Sequence, residues 1–327
     1  MTNLDRNITH YQTWCQKLGI TSADDINRII AEGDGNWLIN ISEIWHEQKI
    51  SEISRRIYDH INEKKVIFIS GPSSSGKTSF ATRLRLHLKV LGINAVAISL
   101  DDYFRNKDEM ILDADGKPDF ESLEAIDYQL FNDHVRQLIA GQEVGLPHYS
   151  FHQNMRIENA RTLRLGADEV IIVEGIHGLN EKITAGIPND NNYKIYCTAL
   201  TVLTLDGEKI SSTDTRLIRR IIRDYYFRNS SCQYTLELWP DVESGAVKNI
   251  FPYTDSADII FNSSLLYEFC VYRQHFQKIV PQLSPDNPDY ETIARLRHIV
   301  SSFSPMDEEL TPPTSLVREF AGGSTLF

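Results

Sequence analysis

The sequence predicts an α/β fold in which a mostly parallel sheet carries helices on both faces. Five compact apolar runs have the length of buried strands: residues 66–70, 95–99, 170–174, 193–197 and 257–261. Stretches with helical spacing separate most of these runs, as in Phe80, Leu84, Leu88 and Leu91 after the first run. Near-continuous apolar strands that alternate with helices are typical of a parallel sheet covered on both sides.

The strand pattern begins only after a leading segment that reads as helical. Ile50, Ile53, Ile57 and Ile61 recur there at the spacing of one helix face. We therefore expect a short N-terminal helical extension over residues 1–62 and a main domain over residues 63–327.

The composition and net charge of the chain argue against some classes of binding partner. The chain has 327 residues, of which 41% are hydrophobic and 24% are charged, and its net charge is −12. These values exclude collagen-like, low-complexity and disordered classes. Because an acidic surface repels polyphosphate backbones and anionic lipids, we expect no DNA or membrane partner. No apolar run approaches the ~20 residues that a membrane span needs, whereas a small anion in a local basic pocket remains compatible.

Cysteine usage favours a reducing compartment. The four cysteines lie far apart, without the spacing of a metal site: Cys15, Cys197, Cys232 and Cys270. The N-terminus also lacks the basic-then-apolar pattern of a secretory signal. We expect reduced thiols and a cytoplasmic location. The sequence does not define the oligomeric state, and a homo-oligomer is compatible with it.

The segment after the first predicted strand matches a phosphate-binding loop, GxxxxGK[ST]. The glycines allow backbone N–H groups to turn inward around phosphate oxygens, and the following helix adds the positive end of its dipole. Lys77 would reach the β- and γ-phosphates, and the Thr78 hydroxyl would ligate Mg²⁺. This context predicts a P-loop NTPase fold that binds ATP through Gly71, Pro72, Ser73, Ser74, Ser75, Gly76, Lys77 and Thr78.

A nucleoside triphosphate site is compatible with a kinase, a GTPase, a motor or a transport ATPase, and the signatures of two of these classes were sought. Residues 106–109 read NKDE and miss the NKxD signature of GTPases at its last position. Residues 113–116 fit DxxG, but they follow no predicted strand. The LSGGQ signature of transport ATPases does not occur in the sequence.

Acidic residues follow two of the predicted strands. Asp101 and Asp102 come after the run 95–99, and Glu174 closes the run 170–174. Ligands of open α/β sheets bind at the carboxyl ends of strands. Asp101 suits a general base that accepts a proton from an acceptor hydroxyl, and Glu174 suits a ligand of Mg²⁺ or of its waters. A helix cap or turn is the alternative for Asp101, and His177 reads as a structural loop histidine.

The most basic segment carries arginines along one helical stripe. Five arginines and two aspartates occur between residues 214 and 228, and Asp214 reads as the N-cap of the helix. At ~100° per residue, a single stripe contains Arg216, Arg219, Arg220 and Arg223. Arginine binds phosphate through two parallel hydrogen bonds. The stripe therefore favours a phosphate clamp, within a lid at about residues 204–250, and a solvated charged face is the alternative.

Several motifs in order resemble the uridine kinase / phosphoribulokinase family. They are GPSSSGKT at 71–78, SLDDYF at 99–104, EGIHGL at 174–179 and DTRLIRRIIRD at 214–224. The chain is most similar to bacterial nucleoside kinases, which share stretches such as IFPY at 250–253 and REFAGGS at 318–324.

The resemblance implies roles for particular residues. Asp101 corresponds to the family's general base and Glu174 to its strand-end glutamate. Arg219, Arg223 and Arg228 correspond to lid arginines over the transferring phosphate, and Arg220 faces the acceptor. Glu121 stands where uridine-cytidine kinases grip the ribose hydroxyls, and Tyr149 where an aromatic frames the base. Two positions depart from those kinases, since Asn154 replaces a base-reading histidine and Ser230 replaces a second arginine.

These residues imply transfer of the ATP γ-phosphoryl, with Mg²⁺, to a small acceptor, most simply the 5′-hydroxyl of a nucleoside such as uridine. A related kinase for a sugar, a sugar phosphate or another polyol stays open, because residues 174–178 also match the EGxHG string of phosphoribulokinases. A module that binds a nucleotide without transferring phosphate is the third reading.

Overall fold

The computed structural model describes residues 2–327 except 112–115, 117–118, 151–152, 154, 167, 186 and 188–190. The helices are α1 (Asn3–Lys17), α2 (Ala23–Ala31), α3 (Gly35–Asp59), α4 (Lys77–Val90), α5 (Tyr128–Ile139), α6 (Glu181–Thr184), α7 (Ser212–Phe227), α8 (Cys232–Asn249), α9 (Glu268–Ile279), α10 (Tyr290–Ser301) and α11 (Val317–Ala321). The strands are β1 (Val66–Ser70), β2 (Asn94–Ser99), β3 (Glu143–Ser150), β4 (Met155–Arg164), β5 (Glu169–Glu174), β6 (Asn192–Thr198), β7 (Thr204–Leu205), β8 (Glu208–Lys209) and β9 (Ile259–Asn262).

The central sheet confirms the predicted fold class. Its five strands run in the order β2-β5-β1-β6-β9, and every neighbouring pair is parallel. Its strands correspond to the five apolar runs of the sequence, and no strand begins or ends more than two residues from its run. Because β1 lies between β5 and β6, the loop after β1 opens at the centre of the carboxyl edge.

Helices cover both faces of this sheet. On β1, Ile67 and Ile69 point into the larger apolar cluster with α3, α4, α7 and α9. Val66 and Phe68 point the other way, into a second cluster with α5 and the start of β3. This alternation follows from the two-residue period of a strand, and it makes both sides of β1 apolar.

The N-terminal helices share the larger apolar cluster with the phosphate-loop helix. Arg83 of α4 is buried and pairs with two glutamates of α3, at 2.6 Å to Glu47 and 3.7 Å to Glu43. Helix α1 lies along the edge strand β9, where its Asn7 side chain donates to the Ile260 carbonyl at 2.9 Å. Residues 2–62 are therefore packed onto the sheet rather than separated from it.

Two antiparallel hairpins lie outside the predicted pattern, β3–β4 and the short pair β7–β8. Strands β3 and β4 form an antiparallel hairpin with a register shift between Leu146 and His148. Every described side chain of β4 is at least partly exposed, so this strand carries no continuous apolar run.

The described residues contain no helix that is both long and apolar enough to span a membrane. All four cysteines are buried free thiols.

Candidate active site

The loop between β1 and α4 has the backbone geometry of a phosphate cradle. Gly76 adopts φ +85° and Ser74 adopts φ +60°, values that turn successive amides inward. Gly71 lies so close to the Cys197 carbonyl of β6 that a side chain would overlap it. The Lys77 ammonium donates to the carbonyls of Gly71 at 2.8 Å and Pro72 at 3.2 Å. The loop thus holds a cation and inward amides where phosphate oxygens would bind.

The two strand-end acids meet beside this loop, as their parallel register requires. Glu174 is paired with Ser99 of β2 on one side and Ile69 of β1 on the other. The Ser99 hydroxyl lies 3.5 Å from Glu174 Oε1 and accepts the Asp101 amide at 3.3 Å. Ser99, not Asp101, is therefore the cap of the short 3₁₀ turn Leu100–Tyr103. The Asp101 side chain remains available for another contact.

Desolvation raises the pKa of both acids. Desolvation raises the pKa of Glu174 to about 7, and the nearby Asp101 charge raises it further against the attraction of Lys77. Desolvation also raises the pKa of Asp101, while Lys77 and Arg228 oppose that rise. The Asp101 charge thus acts on Glu174, and Lys77 acts on both carboxyls, an arrangement suited to proton transfer and to a divalent cation.

Arg216 and Arg219 of the predicted stripe are buried and contact the main chain of the phosphate loop. Arg219 is fully buried, pairs with Glu268 at 2.8 Å and donates to the Ser74 carbonyl at 3.4 Å. Arg216 pairs with Glu243 and donates to the Ser73 carbonyl at 3.4 Å. A solvated face is thereby excluded for these two side chains.

The other arginines of this segment gather around Asp224, which the sequence analysis did not single out. Asp224 is buried and pairs with Arg220 at 3.3 Å, Arg223 at 2.7 Å and Arg228 at 3.6 Å. Arg220 also donates to the Ser73 hydroxyl at 2.8 Å. Desolvation, with the charge of Arg223, lowers the pKa of Arg228 to about 10. Three cations are thus held together at the end of α7.

The predicted N-cap of this helix is wrong. Helix α7 begins at Ser212, and Ser211 is the cap because its hydroxyl accepts the Asp214 amide at 2.9 Å. Asp214 lies in the first turn and pairs with Arg295 at 3.1 Å. A serine followed three residues later by an acid is a common helix start, so the sequence contained this signal.

Two of the predicted acceptor residues, Glu121 and Tyr149, lie near the Asp101–Asp102 turn. Desolvation raises the pKa of Glu121 to about 7, with Arg220 and Lys77 opposing the rise and Asp101 adding to it. Tyr149 is buried, and its ring lies 5.5 Å from that of Phe104. The Tyr149 amide donates to the Asp102 carboxylate at 3.3 Å. Asp102, the neighbour of Asp101, therefore binds the end of β3. Asn154 lies outside the described residues.

His177 fits the structural reading. Its side chain is buried, and desolvation lowers its pKa to about 4, so the ring is neutral at ordinary pH. It follows Glu174 in the turn after β5, where its carbonyl accepts the Asn180 amide at 2.8 Å.

Oxygen ligands for Mg²⁺ are present, although few of them come from the protein. Thr78 lies in the first turn of α4, and Glu174 lies at the end of the adjoining sheet. The described residues contain no group of three or more His, Cys, Asp or Glu side chains around one point. Mg²⁺ commonly takes one or two carboxylates, with phosphate and water oxygens completing its shell, so this donor set fits the ion.

A family assignment follows from comparison with known sequences. The sequence model of the Phosphoribulokinase / Uridine kinase family matches residues 66–265, a range that contains the phosphate loop, both strand-end acids and all five arginines. The chain belongs to this family. It is therefore a kinase of the P-loop type, and the family implies that ATP is its phosphoryl donor.

The relatives share only part of the sequence. The uridine kinase of Macrococcus caseolyticus is 27% identical over 177 residues, which cover 54% of this chain and 77% of the relative. The uridine kinase of Erwinia tasmaniensis is 27% identical over 205 residues, covering 62% and 88%. That of Schizosaccharomyces pombe is 32% identical over 199 residues, covering 58% of this chain but 39% of the relative.

Solved structures resemble the chain more distantly. A kinase assigned to a fructose transport system of Silicibacter sp. TM1040 has 15% identity and a TM-score of 0.48, covering 65% of this chain and 98% of that one. The D-glycerate 3-kinase of Cryptococcus neoformans has 12% identity and a TM-score of 0.34, covering 83% and 88%. Neither structure bears on what this chain phosphorylates.

Proposed function

We propose that the chain transfers the γ-phosphoryl group of ATP to the 5′-hydroxyl of a nucleoside such as uridine. The observation that carries this proposal is Asp101, half-buried in the short turn after β2, whose carboxyl interacts electrostatically with Lys77 and with Glu121. The proposed base, Asp101, would thus act between the phosphate site that contains Lys77 and the acid proposed to bind the acceptor, Glu121. The curated relatives named above, all uridine kinases, support the choice of acceptor.

In this proposal the loop residues 71–78 bind the triphosphate. The inward amides and Lys77 hold the β- and γ-phosphates, so the lysine leaves the carbonyls of Gly71 and Pro72 when a nucleotide enters. Arg219 serves the nucleotide through the loop, because its guanidinium contacts the Ser74 carbonyl. Thr78 and Glu174 would hold Mg²⁺, which supplies charge neutralisation at the phosphates when bound.

Asp101 is the proposed general base. Its carboxylate accepts the proton of the acceptor hydroxyl as that oxygen attacks the γ-phosphorus and the bond to the β-phosphate oxygen breaks. Burial brings the pKa of Asp101 upward, toward the range in which a carboxylate is a more effective base. Lys77 and Arg228 oppose that rise and so favour the ionised form that the role requires.

Arg220, Arg223 and Arg228 are the proposed clamp for charge that develops on the transferring group. Asp224 holds all three at the end of α7, so they need little reorganisation when the charge appears. Preorganised donors of this kind are the main electrostatic contribution to phosphoryl transfer. Closure of this segment would also exclude water as an acceptor.

On the acceptor side, Glu121 would accept hydrogen bonds from vicinal ribose hydroxyls, and Tyr149 would support the base. Asn154 and Ser230 stand where uridine-cytidine kinases have their base-reading histidine and a second arginine. This difference favours a second candidate, a kinase for a sugar, a sugar phosphate or another polyol.

A substrate panel tests the proposal. ADP release would be measured with ATP, Mg²⁺ and single nucleosides, sugars, sugar phosphates and inositols, and product position would be read by phosphorus NMR. We expect uridine or another nucleoside to give the highest kcat/KM, with the product phosphorylated at the 5′ position. A sugar or sugar phosphate as best substrate contradicts the nucleoside proposal. ATP binding without acceptor-dependent ADP release would instead indicate a non-catalytic module.

We also propose that residues 63–327 are the kinase domain and residues 1–62 an extension that stabilises it. The pair between the buried Arg83 and Glu47, and the contact of α1 with β9, support this division of roles. None of the groups that act on the Asp101 carboxyl among the described residues, which are Lys77, Arg228 and Asp102, belongs to the extension.

A further inference from the structure

Helix α8 contains a glycine that its backbone conformation does not require. Gly245 lies well inside the helix and is not among the glycines with positive φ. A glycine inside a helix costs roughly 0.5–1 kcal/mol relative to alanine. The reason for it here is space: a Cβ at this position would lie 2.5 Å from Cβ and 2.9 Å from Cγ of Glu121. The helix surface thus has a notch that receives the Glu121 side chain.

The same helix also holds the main chain of Glu121. One turn after Gly245, the Asn249 side chain donates from Nδ2 to the Glu121 carbonyl at 2.7 Å. Asn249 is the last residue of α8, yet its amide reaches a different segment rather than capping its own helix. Side chain and main chain of Glu121 are therefore both fixed by α8.

Helix α8 is connected to the phosphate loop as well. Glu243, two residues before Gly245, pairs with Arg216 of α7, and the Arg216 guanidinium lies 5.2 Å from the centre of the Trp239 ring. Arg216 in turn donates to the Ser73 carbonyl of the phosphate loop. Half of one helix therefore contacts both the loop that would hold ATP and the acid that would hold the acceptor.

We infer that the second half of α8 is a positioning element for the acceptor, with Gly245 and Asn249 as specificity-determining residues that aim the Glu121 carboxylate. The acceptor class that this geometry fits is a small molecule with vicinal hydroxyls, because a fixed carboxylate can accept from both at once. The inference rests on the proposed role of Glu121 in acceptor binding. Gly245 and Asn249 themselves touch no reacting atom and act through Glu121.

Kinetics with uridine and ATP test the inference in the full chain. We expect Gly245→Ala and Asn249→Asp to raise the KM for uridine roughly tenfold or more, because a misplacement of about 1 Å is costly. The KM for ATP should stay within about twofold, because the Ser73 contact is intact. Asn249→Asp keeps the shape of the side chain but removes its donor. Ser244→Ala, on the exposed face of the same helix, is the matched control.

A measurement without turnover separates this inference from the proposed function. Hydrogen exchange at the amides of residues 119–126 should be faster in both variants and unchanged in Ser244→Ala. If the unaltered chain does not phosphorylate uridine, the nucleoside proposal fails, and the exchange data still decide whether α8 fixes this segment. Unchanged exchange, or an equal rise in the KM values for uridine and ATP, overturns the inference.

Discussion

The Glu319 carboxylate accepts a hydrogen bond from the Ser79 backbone amide, with 3.0 Å between Oε2 and N. Ser79 is the third residue of α4, and Glu319 belongs to α11 near the end of the chain. The side chain of Leu316 lies against Gly76 in the same region. The C-terminal segment thus places an anion on one of the free amides at the N-terminus of the phosphate-loop helix.

This contact predicts opposite effects on stability and on ATP affinity. In Glu319→Gln, the loss of a charge at the helix N-terminus should lower the free energy of unfolding by about 0.3–1 kcal/mol. ATP should bind roughly two- to fivefold more tightly, because the phosphates no longer meet that charge. Calorimetric titration with ATP and urea unfolding measure the two effects. Glu309→Gln, an exposed acid nearby, is the control, and weaker ATP binding in Glu319→Gln would contradict the prediction.

Asp101→Asn should separate catalysis from nucleotide binding. Removing a positioned base is expected to lower kcat roughly 10²–10⁴-fold, while the Kd for ATP changes little. Stopped assays of ADP release and calorimetric titration measure these quantities. Asp102→Asn is the matched control, because Asp102 pairs with His148 at 2.8 Å and accepts the Tyr149 amide. It should mainly raise the acceptor KM. Near-normal turnover in Asp101→Asn would show that another group is the base.

The arginines of α7 should divide into stabilising and catalytic residues. Arg219→Met leaves Glu268 buried without its partner, so we expect a loss of roughly 3–5 kcal/mol in the free energy of unfolding. The Arg228 side chain is 56% exposed, so Arg228→Met should leave stability nearly unchanged and lower kcat roughly tenfold or more. Urea unfolding and steady-state kinetics distinguish the two. Equal stability losses, or an Arg228→Met variant with full activity, would refute this division.

The buried acids predict a fall in stability between about pH 4.5 and 7. Burial raises the pKa of Glu174 from 4.5 to about 7. In that window the folded chain binds more protons than the unfolded chain, so the free energy of unfolding decreases as pH rises. Glu174→Gln should reduce this decrease by on the order of 2 kcal/mol. Urea unfolding at pH 5 and pH 8 measures it, with the exposed Glu237→Gln as control. A slope unaffected by Glu174→Gln would contradict a raised pKa.

Helix α1 should protect the edge of the sheet from self-association. Asn3 donates to the Ala257 carbonyl at 3.0 Å, and Asn7 donates to the Ile260 carbonyl at 2.9 Å. An exposed edge strand offers such groups to another chain. We expect a variant that lacks residues 2–17 to have a larger mass by light scattering than the full chain at the same concentration. An unchanged mass would mean that β9 needs no cover.

The sequence predicted the central sheet well because buried parallel strands leave a continuous apolar signal. The runs 66–70 and 170–174 correspond to β1 and to the main part of β5. The hairpin β3–β4 was not predicted, because its outer strand is exposed and mixes polar with apolar residues. Cross-strand pairing forms that element, and pairing is a relation between two segments rather than a pattern within one.

The sequence identified most residues of the candidate site, but not which contacts each of them makes. The loop 71–78 and the acids Asp101 and Glu174 follow strands whose carboxyl ends share one edge, so their proximity followed from the fold. Asp224 was also within reach of sequence reasoning, because it lies four residues from both Arg220 and Arg228 and helical neighbours at that spacing interact.

The sequence by itself determined the family, the phosphate loop, the parallel sheet and the position of a basic segment inside an acidic chain, because each is written in a short contiguous pattern. Only the tertiary structure decided that Arg216 and Arg219 pair with Glu243 and Glu268, because these acids are distant in sequence from the helix they neutralise. The same holds for Gly245 and Glu319, whose partners Glu121 and Ser79 lie more than a hundred residues away. Burial and charge pairing are properties of the folded neighbourhood, so a local pattern cannot assign them.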